Sequence, residues 1–508
     1  MLLGIDIGTS GVKTIALSLE GKIAAQSSAG YPLLTPRPGW VEQNPDDWWS
    51  AVCQTVGNVV NKIDGGADAV RAISFSGHMS SVLVVDSDGL PLRPCLMLTD
   101  ARAADYVSRL VDKVEEKVVN LTGNTIRVGG VPAKLLWIRD NEPDIYKRIS
   151  TFLTAKDYIR LKFTGQAATE PTDAGNTLFL NPLTRAWETE LYEEMGLEAR
   201  HLPQLIETQD IAGFVTEEAA SKTGLRPGIP VVAGGADMAC SAIGTGCTEE
   251  GVVAVTIGTA AQVVTLTREI KPECIGRLSF HPHAIPGALY TMGSIFTGGL
   301  TLRWLAKAFG EENLLAADSS AYFDALSEQA AAAGVGSEGT LFLPFLVGSG
   351  SPEFDPVMRG AFLGLSLFTG KEQIVRAAME GVAYNVRDSV EVILEAGLPV
   401  SAVNIGGGGS ASQIWRDIMA GVLGRPIKPL GIRDVSALGA AVIAGVGVGI
   451  FPDFRQAVKS LVRCQAPALP KPGDIAQYDF NYRIYSKARA LLGALYHYRT
   501  EMNAPDRR

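Results

Sequence analysis

Cysteine is scarce and scattered in this chain. Its six cysteines, at 53, 95, 240, 247, 274 and 464, include no Cys-x-x-Cys pair. That spacing excludes a disulfide scaffold and a thiolate zinc site, and it suits free thiols in a reducing cytosol. Positive charge is also short. The 45 lysines and arginines stand against 54 acids, for a net charge of −9, which offers nucleic acid or an anionic membrane no basic surface. Low-complexity stretches are missing, and only the last residues, Asn503–Arg508, read as a loose polar tail. No secretory leader is expected, because Met1-Leu2-Leu3-Gly4-Ile5-Asp6 lacks a basic start and soon meets a charge. Long hydrophobic runs are absent except for Val435 to Phe451, which is apolar or small throughout. It falls short of the roughly 20 residues of a usual membrane span. It also holds Gly439, Gly445, Gly447 and Gly449, with Asp434 at its head as an N-cap. A buried helix running into a glycine turn is therefore expected, in a soluble, cytoplasmic protein.

What is present is ordinary globular composition, 46% hydrophobic and 19% charged over 508 residues. That length is too great for one core, so at least two domains are expected. Leu2–Ile7 and Val12–Leu19 read as short strands joined by the turn Gly8-Thr9-Ser10-Gly11, and Lys22–Ala29 as a third. Helical spacing over Asp46–Ile63 follows Asn44-Pro45, a cap and a first-turn proline. Ala69–Phe75 and Ser81–Val85 are strand-like again, and Asp86-Ser87-Asp88-Gly89 is a turn. This alternation predicts an α/β domain with a mixed sheet. Halfway down, Gly251–Ile257, Gly258-Thr259 and Ala260–Thr267 repeat strand, Gly-Thr turn, strand, without the first copy's aspartate and lysine. Two related α/β halves follow, residues 1–246 and 247–508.

Four elements carry chemistry. In Asp6-Ile7-Gly8-Thr9-Ser10-Gly11-Val12-Lys13 the glycines clear side chains from backbone N–H groups, as phosphate recognition needs. The hydroxyls of Thr9 and Ser10 and the charge of Lys13 could add to that cradle, and Asp6 could hold Mg²⁺ through water. The alternative is a plain hairpin with a solvated aspartate. Gly258-Thr259 is the same turn in the second half, and two such hairpins facing each other could grip a triphosphate. Gly406-Gly407-Gly408-Gly409-Ser410, after the strand Ala402–Ile405 and before a helix with Trp415, brings backbone and a helix start to a flat or anionic ligand. It matches neither a Walker A loop nor a dinucleotide fingerprint. Asp237 in Ala233-Gly234-Gly235-Ala236-Asp237 follows the run Ile229–Val232 near the domain boundary, placed to face a cleft or to cap a helix.

Together these elements resemble the FGGY carbohydrate kinase family, and within it the xylulokinase branch, over nearly the whole chain. The most specific part is Gly360-Ala361-Phe362-Leu363-Gly364-Leu365, then Gln373-Ile374 and Ala377-Ala378-Met379-Glu380-Gly381. Lys134-Leu135-Leu136-Trp137-Ile138-Arg139-Asp140-Asn141 nearly meets the N-terminal signature, whose upstream small position falls on Val131. The resemblance implies two ribonuclease-H-like domains of the actin and hexokinase type with a cleft between them. It implies an enzyme that uses ATP and Mg²⁺ to phosphorylate a small sugar hydroxyl. By that resemblance Asp237 is the base, Asp6 and Asp237 face Mg²⁺ through water, and Gly8, Thr9, Ser10 and Lys13 form the first phosphate loop. Gly258 and Thr259 form the second, and Gly406, Gly407 and Gly408 hold adenosine, with Ala437–Ala441 near the base. Trp40, Glu42, His78, Met79, Asp100 and Arg102 match the substrate-facing segments.

The departures concern the sugar. The family's Gln-Met-His-Gly stands here within Ser76-Gly77-His78-Met79-Ser80-Ser81, so its histidine position falls on Ser80. The usual Trp-Asn-Asp-x-Arg is Leu98-Thr99-Asp100-Ala101-Arg102. Hydroxyl-reading groups set discrimination strongly, so a ketopentose such as D-xylulose stands beside other polyols, sugar acids and deoxy-sugars. His281-Pro282-His283 reads as a loop between strands rather than a metal pair, and Trp48-Trp49 as core and rim. An actin-like or heat-shock-type ATPase driving a partner would use the same phosphate loops but not the sugar-side set. A non-catalytic sugar binder would not need Asp6 and Asp237. The oligomeric state, a homodimer included, is left open by the sequence.

Overall fold

The central strand Leu2–Ile7 is a continuous apolar run broken only by Asp6, and it is buried on both faces. Such strands sit in the middle of a sheet with parallel neighbours. It pairs antiparallel with Gly11–Leu17 and parallel with Ala72–Gly77. The computed structural model describes residues 1–502, so the polar tail Asn503–Arg508 lies outside the described residues. The first sheet runs Ile211–Phe214, Pro230–Val232, Ala72–Gly77, Leu2–Ile7, Gly11–Leu17, Ile23–Gly30, with Gly235–Ala236 extending the edge of Ala72–Gly77. A second sheet runs Ser279–Pro282, Leu289–Ile295, Ala261–Thr267, Gly251–Ile257, Val400–Gly406, Ile427–Pro429. Its hairpin Gly251–Thr267 is antiparallel and its neighbour Val400–Gly406 parallel. The wiring repeats that of the first sheet, so the duplication expected from the two Gly-Thr turns is topological.

Helix Pro45–Val60 begins as its sequence dictates: the Asn44 side chain accepts from the Asp46 amide and proline takes the first turn. Two expectations change. The strand expected at Ser81–Val85 is Leu83–Val85, and it pairs with Thr151–Leu153 outside the main sheet. Asp434 precedes helix Val435–Gly447 but makes no cap bond with its side chain; its carboxylate pairs with Lys13 instead.

The Val435–Gly447 helix is the apolar run noted above, and its packing explains its composition. Its backbone lies almost in contact with its neighbours. A Cβ at Gly4 would come within 1.9 Å of the Ala437 oxygen, one at Gly244 within 2.0 Å of the Val435 oxygen, and one at Gly439 within 1.8 Å of the Cys240 oxygen. Small residues are required on both sides of such a crossing. The helix therefore belongs to the C-terminal half of the sequence but packs on the first sheet, in one core with Leu2, Ile15, Ala72 and Val232. No helix among the described residues is long and apolar enough to cross a membrane.

Candidate active site

The turn Gly8–Ser10 ends the central strand, closed by the Gly8 amide donating to the Gly11 carbonyl at 3.0 Å. It is braced from beneath. Tyr31 Oη donates to the Gly8 carbonyl, and Gln43 Nε2 donates to the Thr9 carbonyl at 2.7 Å. Trp48 Nε1 in turn donates to Gln43 Oε1 at 3.0 Å. With its carbonyls tied down, the turn leaves Thr9 and Ser10 exposed. Trp48 and Trp49 are buried core residues.

Asp6 lies opposite Lys13 on one neighbouring strand and Ser76 on the other. Ser76 Oγ donates to its Oδ1 at 2.7 Å, yet burial holds its carboxyl above the ordinary range. Lys13 is spent on Asp434 rather than aimed at the loop. Asp237 follows the edge strand Gly235–Ala236 and opens helix Asp237–Gly244. Its pKa is pushed up to about 8, first by burial and then by the charges of Asp6 and Asp173. Its Oδ1 is buried without a hydrogen-bond partner. The carboxyls of Asp6 and Asp237 are thus both raised, and the charge of Asp6 contributes to the shift of Asp237. No group of three or more protein ligands for a metal exists among the described residues. That fits Mg²⁺, which keeps waters and phosphate oxygens and takes only one or two carboxylates.

Sequence reasoning missed what lies behind Asp237. Lys156, fully buried, meets Asp157 at 2.6 Å, Asp173 at 2.9 Å and Glu170 at 3.1 Å. Glu170 accepts from the amide and hydroxyl of Thr172 at 2.7 and 2.8 Å. The Thr172 hydroxyl oxygen then accepts from the Ala236 amide at 2.8 Å. An ionic core thus fixes the peptide just before Asp237. The available signal was Thr169-Glu170-Pro171-Thr172-Asp173, two carboxylates around a helix-starting proline.

On the other side, the carbonyl of Gly258 accepts from the Gly299 amide at 2.7 Å, and that of Thr259 from Gly298 and Leu300 at 2.9 and 3.0 Å. The second loop is locked by a Gly298-Gly299 turn that the sequence reading passed over. Beside it opens a cavity of about 340 Å³ lined by Gly258, Thr259, Arg303, Phe323, Gly408, Gly409, Ser412 and Trp415. Its size falls in the small-molecule range of roughly 300–1,000 Å³. Gly406 and Gly407 are buried behind the wall. Gly407, at φ +80°, turns where a Cβ would sit 2.6 Å from the Ile257 oxygen. The glycine run therefore contacts this cavity through Gly408 and Gly409, while Gly406 packs against the Val435, Leu430 and Thr245 side chains and Gly407 against the Ile257 backbone. Ala437–Ala441 lie in the core against the first sheet, not in this wall; Arg433 takes that side.

The sugar-side residues divide. Trp40, Glu42, Asp100 and Arg102 do come together, but they bond one another. Arg102 grips Asp100 with Nε and Nη2 at 2.9 and 2.8 Å, and Glu42 at 2.8 Å. Its guanidinium lies 3.8 Å over Trp40. Asp100 also accepts from the Val41 amide at 2.6 Å, and Glu42 pairs with Arg93 at 2.7 Å. His78 is buried edge-on to Trp48, both ring nitrogens unpartnered. Burial holds its pKa at about 4, so it is neutral. None of these five lines the neighbouring cavity of about 310 Å³. Met79, Ser80, Leu98, Arg127, Gly129, Asn176, His281 and Phe354 do. Met79 Sδ stands 3.9 Å from Tyr290 Oη, a hydroxyl whose pKa the charge of Asp237 helps to raise. His281 is on the strand Ser279–Pro282 rather than in a loop, bonded to Ser279 and stacked on Tyr290. His283 is bonded to the Cys247 carbonyl.

Models of the FGGY family of carbohydrate kinases match this chain twice, the N-terminal domain at residues 1–244 and the C-terminal domain at residues 253–448. The xylulose kinase of Bacillus subtilis is 32% identical over 98% of this chain and 99% of its own. The solved xylulose kinase of Rhodospirillum rubrum is similar at a TM-score of 0.87 and 31% identity, over 98% of this chain and 99% of that one. The gluconate kinase of Lactobacillus acidophilus is similar at 0.88 and 25% identity, over 97% and 98%. The fold is thus the two-domain α/β fold of these kinases. The two family models together cover most of the chain and these relatives span it almost end to end, so this chain belongs to the FGGY family of carbohydrate kinases, which are phosphotransferases.

Proposed function

We propose that this enzyme transfers the γ-phosphoryl group of ATP to a hydroxyl of a ketopentose such as D-xylulose, in the cytoplasm. The observation that carries the reading is Asp237. Its Oδ1 is buried without a hydrogen-bond partner, and the charges of Asp6 and Asp173 help to hold its carboxyl up. The 340 Å³ cavity takes adenosine, and Gly8–Ser10 and Gly258–Thr259 supply amides and hydroxyls to the phosphates. Asp6 and Asp237 hold Mg²⁺ through water, which neutralises phosphate charge. Asp237 accepts the proton as the sugar oxygen bonds to γ-phosphorus and the bond to the ADP oxygen breaks. Positioning and charge neutralisation dominate such reactions, and a carboxylate base adds roughly 10²–10⁴-fold. Trp40, Glu42, Asp100 and Arg102 shape the acceptor side from behind Leu98, and His78 stays neutral beneath it. The domains divide near Gly246, with Val435–Leu461 returning to the N-terminal one.

A second acceptor class is favoured by one observation. Arg127 is the single charged residue on the wall of the 310 Å³ cavity among the described residues, lying 3.5 Å over the Phe354 ring. Desolvation lowers its pKa, a cost that the carboxylate of a sugar acid would offset. The test is ADP release from Mg-ATP with D-xylulose, D-gluconate, polyols and deoxy-sugars, against a no-sugar control. Stimulation by D-xylulose supports the first reading and stimulation by D-gluconate the second. Release indifferent to every sugar would favour a partner-driven ATPase. In Asp237→Ala, sugar-stimulated release is lost while ADP binds as before; retained turnover would overturn the role given to Asp237.

A further inference from the structure

Lys134 is a lysine where a lysine is costly. It sits on helix Val131–Asn141 within the unbroken buried stretch Val131–Ile138, and is 1% exposed. Buried lysines usually answer to carboxylates. The two hydrogen-bond acceptors of this one are backbone carbonyls, Ser80 at 2.9 Å and Gly129 at 2.7 Å. Desolvation pulls its pKa down to about 7.

The two carbonyls belong to unusual peptides. Ser80 has φ +59° and Gly129 has φ +88°, the left-handed region that a serine enters only at a cost of order 1–3 kcal/mol. Ser80 and Gly129 both line the 310 Å³ cavity, and so does Leu98. Gly129 is pressed against that third residue, since a Cβ would come within 2.3 Å of the Leu98 oxygen. Ser80 and Leu98 are also among the positions at which this chain departs from the pattern it resembles. One ammonium group therefore ties together two otherwise separate segments of a single wall, and the second of them packs against Leu98.

We propose that Lys134 is the positioning residue of the acceptor site: its ammonium holds the Ser80 and Gly129 carbonyls at a fixed spacing and so sets the wall against which the sugar is read. This rests on the assignment of that cavity to the sugar. Lys134 does not line the 340 Å³ cavity beside the second glycine turn, so its loss is expected to act on sugar recognition rather than on nucleotide binding.

The experiment is a comparison of wild type, Lys134→Met and Lys134→Arg, using D-xylulose or, where wild type prefers it, D-gluconate. Sugar KM comes from ADP release, and ADP affinity comes from calorimetry. In Lys134→Met, sugar KM is expected to rise tenfold or more while ADP affinity stays within twofold. Lys134→Arg, which keeps the charge and donors, is expected to lie between. Sugar KM within twofold of wild type in Lys134→Met overturns the proposal, as does parallel loss of sugar and ADP affinity. If Lys134→Met yields no folded protein, Lys134→Arg is judged by the same two constants. A rise in sugar KM alone supports the proposal; no change, or a change in both, overturns it. Failure of the kinase reading would look different, as wild-type ADP release that no sugar stimulates.

Discussion

Replacing Asp237 by asparagine removes the proposed base, and it is also expected to make the free protein more stable. The Asp237 carboxyl has a pKa of about 8 in the fold against 3.8 for a solvated aspartate. Between those values the folded state holds a proton that the unfolded chain has released, so stability falls as pH rises from about 4 to about 8. At about 1.4 kcal/mol per pH unit, the nominal loss by pH 7 is about 4 kcal/mol. Partial solvent access and relaxation reduce it to about 1–2 kcal/mol. Asparagine keeps the shape without the charge, and its advantage should appear as a melting temperature about 1–2 °C higher at pH 8. At pH 5 most of the gap should close, and saturating Mg-ADP should raise both melting temperatures at pH 8. Thermal melts of both proteins at pH 5 and pH 8, with and without Mg-ADP, measure all of this. A variant that melts at or below the wild type at pH 8 would refute the reasoning, because the carboxylate would then be well solvated or paired.

Further outcomes follow from other residues. Gly408→Val should raise the KM for ATP at least tenfold without lowering the melting temperature, because a Cβ there meets nothing within 4 Å and only a ligand can feel it. An unchanged KM for ATP would remove adenosine from that cavity. Ser80→His should shift the ratio of kcat/KM values toward D-xylulose, histidine being tolerated at positive φ better than most residues. An unaltered ratio across the sugar panel would show that position 80 does not select. Lys156→Met should destabilise the fold by about 3–5 kcal/mol in urea titrations, because it strands Glu170 and Asp173 without their cation and leaves Asp157 only Arg160. A loss under 1 kcal/mol would contradict the closed ionic core.

The sequence was most legible where function depends on local backbone. The hairpins around Gly8 and Gly258, the cap at Asn44 and the strand before Gly406 are each written in a few adjacent residues. Legibility failed where a residue's partner is distant in the chain. Lys156 and Lys134 sit on helices whose neighbouring residues do not name their partners, and only the folded chain brings Glu170 to one and the Ser80 carbonyl to the other. The glycine run shows a finer failure. Four glycines look alike in sequence, but Gly406 answers to neighbouring side chains, Gly407 to the backbone of Ile257, and the other two to the cavity. Likewise Trp40, Glu42, Asp100 and Arg102 were recognisable as a set. Their preference for one another over open space is a matter of side-chain geometry that spacing does not encode.

The close-packed helix Val435–Gly447 has a consequence for how this protein is made. Leu2, Ile15, Ala72 and Val232 have emerged from a translating ribosome long before the helix that covers them. A nascent chain halted at Gly246 presents a finished sheet with one greasy face bare, a client for a chaperone holdase rather than an independent domain. Gene truncations at the family-domain boundary should therefore aggregate. A split that works would have to keep Val435–Leu461 with the first fragment, as a graft or by circular permutation.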